Sequence, residues 1–210
     1  MLDVGCGPGI VACAFASVAR HVTGLDLTPA MLERALALQQ ERGLTNLTWQ
    51  QGDVSSLPFP DHSFSVVVTR FTFHHLLSPL HVLLEMVRVC RPGGCVLVVD
   101  VSPDAQKLSA YDHFETLRDP SHVHALSPEG LRDLVSRMPL AARQIETYKL
   151  EFDLERQLAA SFPNSGDADR IRQIFRDDLG RDDLGVGAHL KGKEIYFAYP
   201  VTAIAATKVA

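Results

Sequence analysis

The chain has 210 residues, of which 46% are apolar and 21% charged, the balance of an ordinary globular protein with a sizeable core, sized for a single domain. Lys plus Arg total 20 against 25 Asp plus Glu, a net charge of −5, and no run of five basic residues occurs. This argues against nucleic acid as a partner, because phosphate-backbone binding needs clustered cations. No apolar stretch approaches the roughly 20 residues of a membrane span, and the first residues lack the pattern of a signal peptide, so no membrane association is expected. The cysteines Cys6, Cys13, Cys90 and Cys95 form no CxxC pair and no zinc spacing with histidines. They read as small apolar filler, which suggests a reducing, cytoplasmic location.

In chain order, "MLDV" (1–4) predicts the stub of a buried strand and "IVACAFASVAR" (10–20) a helix. "HVTGLD" (21–26) predicts a second strand. Thr28-Pro29 supplies an N-cap and a proline at the first helical position for "AMLERALALQQERG", which Gly43 closes. "LTWQQGD" (47–53) and "FSVVVTR" (64–70) predict strands three and four, the latter with the Val run of a strand buried on both faces. Ser78-Pro79 opens the helix "LHVLLEMVRVC", Pro92-Gly93-Gly94 stops it, and "CVLVVD" (95–100) predicts a fifth strand. Beyond it lie a polar connection with a helix near 104–118, a helix capped by Ser127-Pro128, a sixth strand over 142–152, two short helices over 154–180 and a late strand over 193–208.

Strands alternating with helices predict an α/β fold with a doubly wound, mostly parallel sheet. Seven strands are expected, with a truncated first strand and an antiparallel late one. Residues 1–210 read as a single domain. Its cofactor half is 1–101, its connection or lid 102–127, and its substrate-side half 128–210, with the helical insertion at about 154–180.

In such a sheet a ligand sits beyond the carboxyl ends of the strands, beside strand 1. The turn Gly5-Cys6-Gly7-Pro8-Gly9 lies there. Asp26 ends strand 2, 21 residues after Gly5. An acid at that point can accept hydrogen bonds from both hydroxyls of a ribose. The spacing is GxGxG, and position 10 holds Ile10 where the dinucleotide fingerprint needs Gly or Ala. A nucleoside ligand is therefore favoured over a dinucleotide.

The stretches "LDVGCGPG", "VTGLDLTPAML", "QGDVSSLPFPDHSFSVVVTRFTFHHL" and "EMVRVCRPGGCVLVVD" together resemble class I S-adenosylmethionine-dependent methyltransferases of the small-molecule, type-11 or UbiE-like branch. The resemblance covers residues 1–100 most strongly. It implies S-adenosyl-L-methionine as the cofactor and methyl transfer to a small molecule as the activity. It also implies roles: Asp3, Gly5, Cys6, Gly7 and Gly9 around the methionine part, its carboxylate near the start of the helix at Ile10, and Asp26 on the ribose. Leu27 and Met31 would lie near the adenine, Asp53 on its amino group, Val54 against its ring, and Thr69 beside the sulfonium. The alternative carried beside it is a non-catalytic or degenerate domain of this fold that binds S-adenosylmethionine or a related nucleoside.

Methyl transfer from a sulfonium is mainly a matter of aligning the reactants. A base matters only where the nucleophile must lose a proton. Arg70, His74 and His122 are the expected catalytic or substrate-contacting residues. His74 is expected at the first turn of a helix, which would lower its pKa and suit it as a base; Arg70 is expected to hold a substrate carboxylate or pair with a local acid. No metal is expected: the strand-4 end lacks an acid, and the pair His122-x-His124 has no third ligand at the right spacing. Relatives of the family carry a leading helix before this turn, whereas here only Met1 to Val4 precede it. Three expectations result: a longer natural protein with Met1 internal, a short chain whose site is covered by another segment or by a homodimer partner, or a degenerate relative.

Overall fold

A computed structural model describes residues 1–210. Strands β1 (Leu2–Val4), β2 (Val22–Asp26), β3 (Leu47–Gln51), β4 (Phe64–Arg70) and β5 (Cys90–Val101) alternate with helices α1 (Ile10–Phe15), α2 (Pro29–Glu41) and α3 (Pro79–Val89). The second half carries α4 (Leu108–Arg118), α5 (Pro128–Ser136), β6 (Leu140–Asp153), α6 (Leu154–Ala159), α7 (Asp167–Asp178), β7 (His189–Lys191) and β8 (Glu194–Lys208). The sheet order is β3-β2-β1-β4-β5-β8-β6, with β7 paired to β8. The first five strands are mutually parallel, and β8 runs antiparallel to both β5 and β6. The fold is the expected one, with an eighth strand: β7 is a three-residue hairpin arm whose sequence carries no apolar run to announce it.

Although β1 has only three residues, it is central. Leu2 and Val4 are fully buried, paired on one side to Thr23 and Leu25 and, through Leu2, on the other to Val67. Each such side chain contributes roughly 1.5–3 kcal/mol of burial. They join a core shared with Leu83, Met86, Leu131 and Ile204, which packs α3 and α5 onto the sheet. A second core gathers Tyr111, Phe114, Ile171, Phe175 and Phe197 between α4, α7 and the distal part of β8.

Two helix ends depart from local expectation. The first helix was expected to reach residue 20 but stops at Phe15. The Asn46 side chain, 30 residues away, donates to the carbonyls of Ala16 and Ala19 and fixes the chain in a turn there. Thr28 sits at the N-cap position of α2, yet its hydroxyl makes no capping bond; its N–H instead donates to Asp26 Oδ1 at 2.9 Å. By contrast Ser127 caps α5 as expected, accepting from Gly130 N–H at 3.1 Å.

Candidate active site

β1 lies between β2 and β4, so the connections leaving β1 and β4 diverge and open a crevice at their carboxyl ends. The turn after β1 enters it with Gly5 at φ +68°, where a Cβ would stand 2.6 Å from the Thr72 side chain. Gly9, at φ +79°, is closed for another reason: a Cβ there would meet Trp49 at 2.7 Å and Ala35 at 2.9 Å. The N–H groups of Gly5 and Cys6 both donate to Leu25 O, at 2.8 and 3.0 Å. The N–H of Gly7 donates to Asp26 Oδ2 at 2.8 Å. These three turn amides are therefore spent inside the protein. The turn does not offer them to a phosphate: two tie it to β2 at Leu25 O, and the third, from Gly7, fixes the Asp26 carboxylate at the mouth.

The crevice is a cavity of about 520 Å³, within the roughly 300–1,000 Å³ of small-molecule sites. Its wall includes Gly5, Gly7, Asp26, Leu27, Met31, Asp53 and Val54. The charged side chains on the wall are Asp26, Asp53 and Asp119, and no lysine or arginine joins them. Asp53 is exposed and accepts from Ser55 N–H at 2.8 Å, which holds its carboxyl below the usual range. A wall of this sign attracts cations and hydrogen-bond donors and repels a pyrophosphate. A second groove of about 380 Å³, beside β6 and β8, holds none of these residues.

Asp3, Cys6, Gly9 and Thr69 lie behind the wall instead of on it. Thr69 is fully buried and donates from Oγ1 to Val4 O at 2.8 Å, tying β4 to β1. Burial pushes the Cys6 thiol up, leaving it a packing residue against Gly24. Asp3 is 2% exposed with Oδ2 unpartnered. Burial raises its pKa to about 7.

The other wall holds residues that periodicity and spacing did not single out: Phe71, Thr72, His75, Leu76, Ser121 and Phe162. Phe71 stands at φ +59°, a left-handed conformation that costs a bulky residue about 1–3 kcal/mol. Its N–H donates to Val99 O at 2.9 Å and the Arg70 guanidinium lies 3.9 Å from its ring centroid. Arg70 makes no ion pair with a local acid; its guanidinium stacks on Phe71, and it does not itself line the cavity.

The expectation for His74 is corrected. Residues Phe73–His75 form a single 3-10 turn, too short to present a helix N-terminus. His74 is buried, and its Nδ1 lies 2.6 Å from Asp100 Oδ1. Burial alone would lower its pKa, but the Asp100 carboxylate outweighs this and raises it. It does not line the cavity; its neighbour His75 does. His122 is corrected likewise. Its side chain is fully buried, with Nε2 2.7 Å from Asp112 Oδ1 and Nδ1 unpartnered.

Asp112 also lies 2.5 Å from His124 Nδ1 and accepts from Ala125 N–H at 2.9 Å. Together with the Val123 and His124 N–H groups, which donate to His74 O, these bonds hold residues 119–125 as a roof. His122 and His124 thus each spend a ring nitrogen on the Asp112 carboxylate, and no group of three or more His, Cys, Asp or Glu side chains is arranged to hold a metal ion.

The wall suits S-adenosylmethionine: strand-end acids for hydroxyl and amino groups, apolar flanks at Leu27, Met31 and Val54, and open space at Gly7, where a Cβ would meet nothing within 4 Å. Comparison with known proteins agrees. A methyltransferase domain model matches residues 2–98. The methyltransferase YcgJ of Bacillus subtilis is 32% identical over 204 residues, 94% of this chain and 79% of the relative. Its crystal structure superposes with a TM-score of 0.89 over 100% of this chain and 91% of that one, at 28% identity. Malonyl-[acyl-carrier protein] O-methyltransferase of Erwinia billingiae is 34% identical over 146 residues, 69% of this chain and 55% of that protein. The ubiquinone/menaquinone biosynthesis C-methyltransferase UbiE of Roseobacter denitrificans is 35% identical over 117 residues, 53% of this chain and 47% of that protein. The chain thus spans about half of the last two. Fold, cavity and relatives together establish that this chain belongs to the type-11 family of class I S-adenosylmethionine-dependent methyltransferases.

Proposed function

We propose that the protein transfers a methyl group to a small-molecule acceptor held between the glycine turn and the roof. The observation that carries this is the cavity itself: it is continuous from the acids Asp26 and Asp53 to Phe71, His75, Ser121 and Phe162, and its charged residues are all acidic. In this reading Asp26 accepts from the ribose hydroxyls and Asp53 from the adenine amino group, while Leu27, Met31 and Val54 pack beside the base. Gly5 and Gly7 let the methionine part approach the backbone. Asp3, Cys6, Gly9 and Thr69 support that surface from behind. When bound, the cofactor supplies an activated methyl group on a sulfonium. The protein's remaining task is to align the acceptor and exclude water, and residues 119–125 and Phe162 are placed to do both.

Residues 1–101 act here as the cofactor half, 102–127 as the roof and 128–210 as its support. The four cysteines are all unpaired, which suits the reducing, cytoplasmic location inferred from their spacing; no helix is long and apolar enough to cross a membrane. The relatives' names span O- and C-methylation, so the acceptor is to be found by experiment. Incubation with methyl-labelled S-adenosylmethionine and a metabolite extract is expected to place label in the low-molecular-mass fraction. Label found only in protein or nucleic acid would overturn the small-molecule reading.

A further inference from the structure

We propose that His75 is the base that takes the acceptor's proton, and that Ser121 and Asp119 are positioning residues that hold it in the form able to do so. The proposal rests on the methyl-transfer reading above and adds to it the class of acceptor.

The tautomer follows from the partners. His75 Nδ1 lies 3.1 Å from the Ser121 carbonyl oxygen and 3.0 Å from Ser121 Oγ. A carbonyl can only accept, so Nδ1 carries the hydrogen. Ser121 Oγ donates its own proton to Asp119 Oδ1 at 2.6 Å, and so it too presents a lone pair to Nδ1. The neutral ring therefore keeps its lone pair on Nε2. That atom has no protein partner and is not among the buried unpartnered atoms, so it stands open. His75 lines the cavity beside Phe71, Asp119 and Ser121. His74 has its Nδ1 committed to Asp100 and is buried away from that wall.

The charge environment agrees with the geometry. Burial lowers the His75 pKa, and the His74 ring, 4.1 Å away between centroids, lowers it further. The Ser121 hydrogen bond, Asp119 and Asp100 oppose this, and the net direction is downward. His75 is then neutral at neutral pH, with Asp119 near enough to stabilise the imidazolium once it forms. The step balances. The acceptor's X–H proton passes to Nε2 while the X–H electron pair becomes the new X–C bond. The C–S pair leaves with sulfur as a neutral thioether, and the imidazolium returns its proton to solvent. A base is needed only where the acceptor has a proton to lose. The acceptor class is therefore a hydroxyl, an ammonium or an acidic C–H, in contrast to an ionised carboxylate.

The test uses the full chain. Long-range proton–nitrogen NMR spectra, with the His75 resonances assigned by their loss in His75→Gln, are expected to show an Nδ1–H tautomer titrating below 6.5. Asp119→Asn is expected to lower that pKa further. It should move the acid limb of labelled methyl transfer to the metabolite extract to lower pH in parallel. His75→Gln is expected to cut transfer by about 10²-fold or more while S-adenosylhomocysteine affinity, read by calorimetry, stays within about threefold. The exposed His113→Gln should change neither. An Nε2–H tautomer, or transfer by His75→Gln within about threefold of the unmutated chain, would overturn the assignment. Failure of the unmutated chain to bind S-adenosylhomocysteine would instead overturn the cofactor reading, and the tautomer measurement tells the two failures apart.

Discussion

On the turn side of the cavity, the backbone makes the site. Gly5, Cys6 and Gly7 spend their amides on Leu25 O and the Asp26 carboxylate, and Gly9 lets α1 approach Trp49 and Ala35. On the roof side, side chains remote in sequence make it. Asp112 gathers His122, His124 and the Ala125 N–H. His75 reaches 46 residues to Ser121, and Arg118 reaches Ser161 at 3.0 Å. The difference has a functional logic. A cofactor shared by a family needs a fixed backbone mould, whereas an acceptor that varies needs a wall that can be re-specified by single side chains.

Breaking the mould should cost most. Gly9→Val adds a branched side chain at φ +79° into Trp49 and Ala35 and is expected to lose about 2–5 kcal/mol, measured by denaturant unfolding. Gly7→Ala, with open space around its Cβ, should lose only about 1–2 kcal/mol from left-handed strain. The gap between the two separates packing from conformation.

Asp3→Asn should act in the opposite direction. Burial raises the folded pKa of Asp3 from 3.8 to about 7, so the folded chain binds more protons than the unfolded one between those values. The favourable contribution is complete below 3.8 and is lost as pH rises toward about 7. At neutral pH the variant is expected to gain about 2–4 kcal/mol. The difference between the two proteins' stabilities, followed from acid to neutral pH, should grow with pH; a constant difference would contradict the buried acid.

Asp26→Ala removes the proposed ribose acceptor together with the partner of Gly7 and Thr28 N–H. S-adenosylhomocysteine binding should weaken at least about tenfold, or 1.4 kcal/mol, and an unchanged constant would break the assignment of the mould. Asp112→Ala addresses the other wall and has the smallest expected effect. Hydrogen exchange at the amides of 123–125 should quicken by about tenfold while Gly5 and Gly7 keep their protection. Equal loosening of both would show that turn and roof are one unit.

This contrast also explains how far the sequence could be read. The parallel half was legible because its signals are local: Val runs, the Thr28-Pro29 and Ser78-Pro79 helix starts, and the glycine spacing with Asp26 21 residues on. Both ends of α1 were not equally visible, since Asn46 stops it from a distance. β7 has three residues and forms only because β8 is there to pair with. On the roof, His74, His75 and His122 look alike in sequence. Which one faces the cavity depends on Asp100, Ser121 and Asp112, each at least ten residues away. The positive φ at Phe71 leaves no trace in a residue type that rarely adopts it.

The central claim is that this cavity takes the nucleoside cofactor of a methyltransferase and not a dinucleotide. It is tested most directly by calorimetric titration of the chain with S-adenosylhomocysteine and, under the same conditions, with NADH. Saturable one-site heat with the first and none with the second is the predicted result. Saturable NADH binding at micromolar concentration, or no heat with S-adenosylhomocysteine, would contradict it.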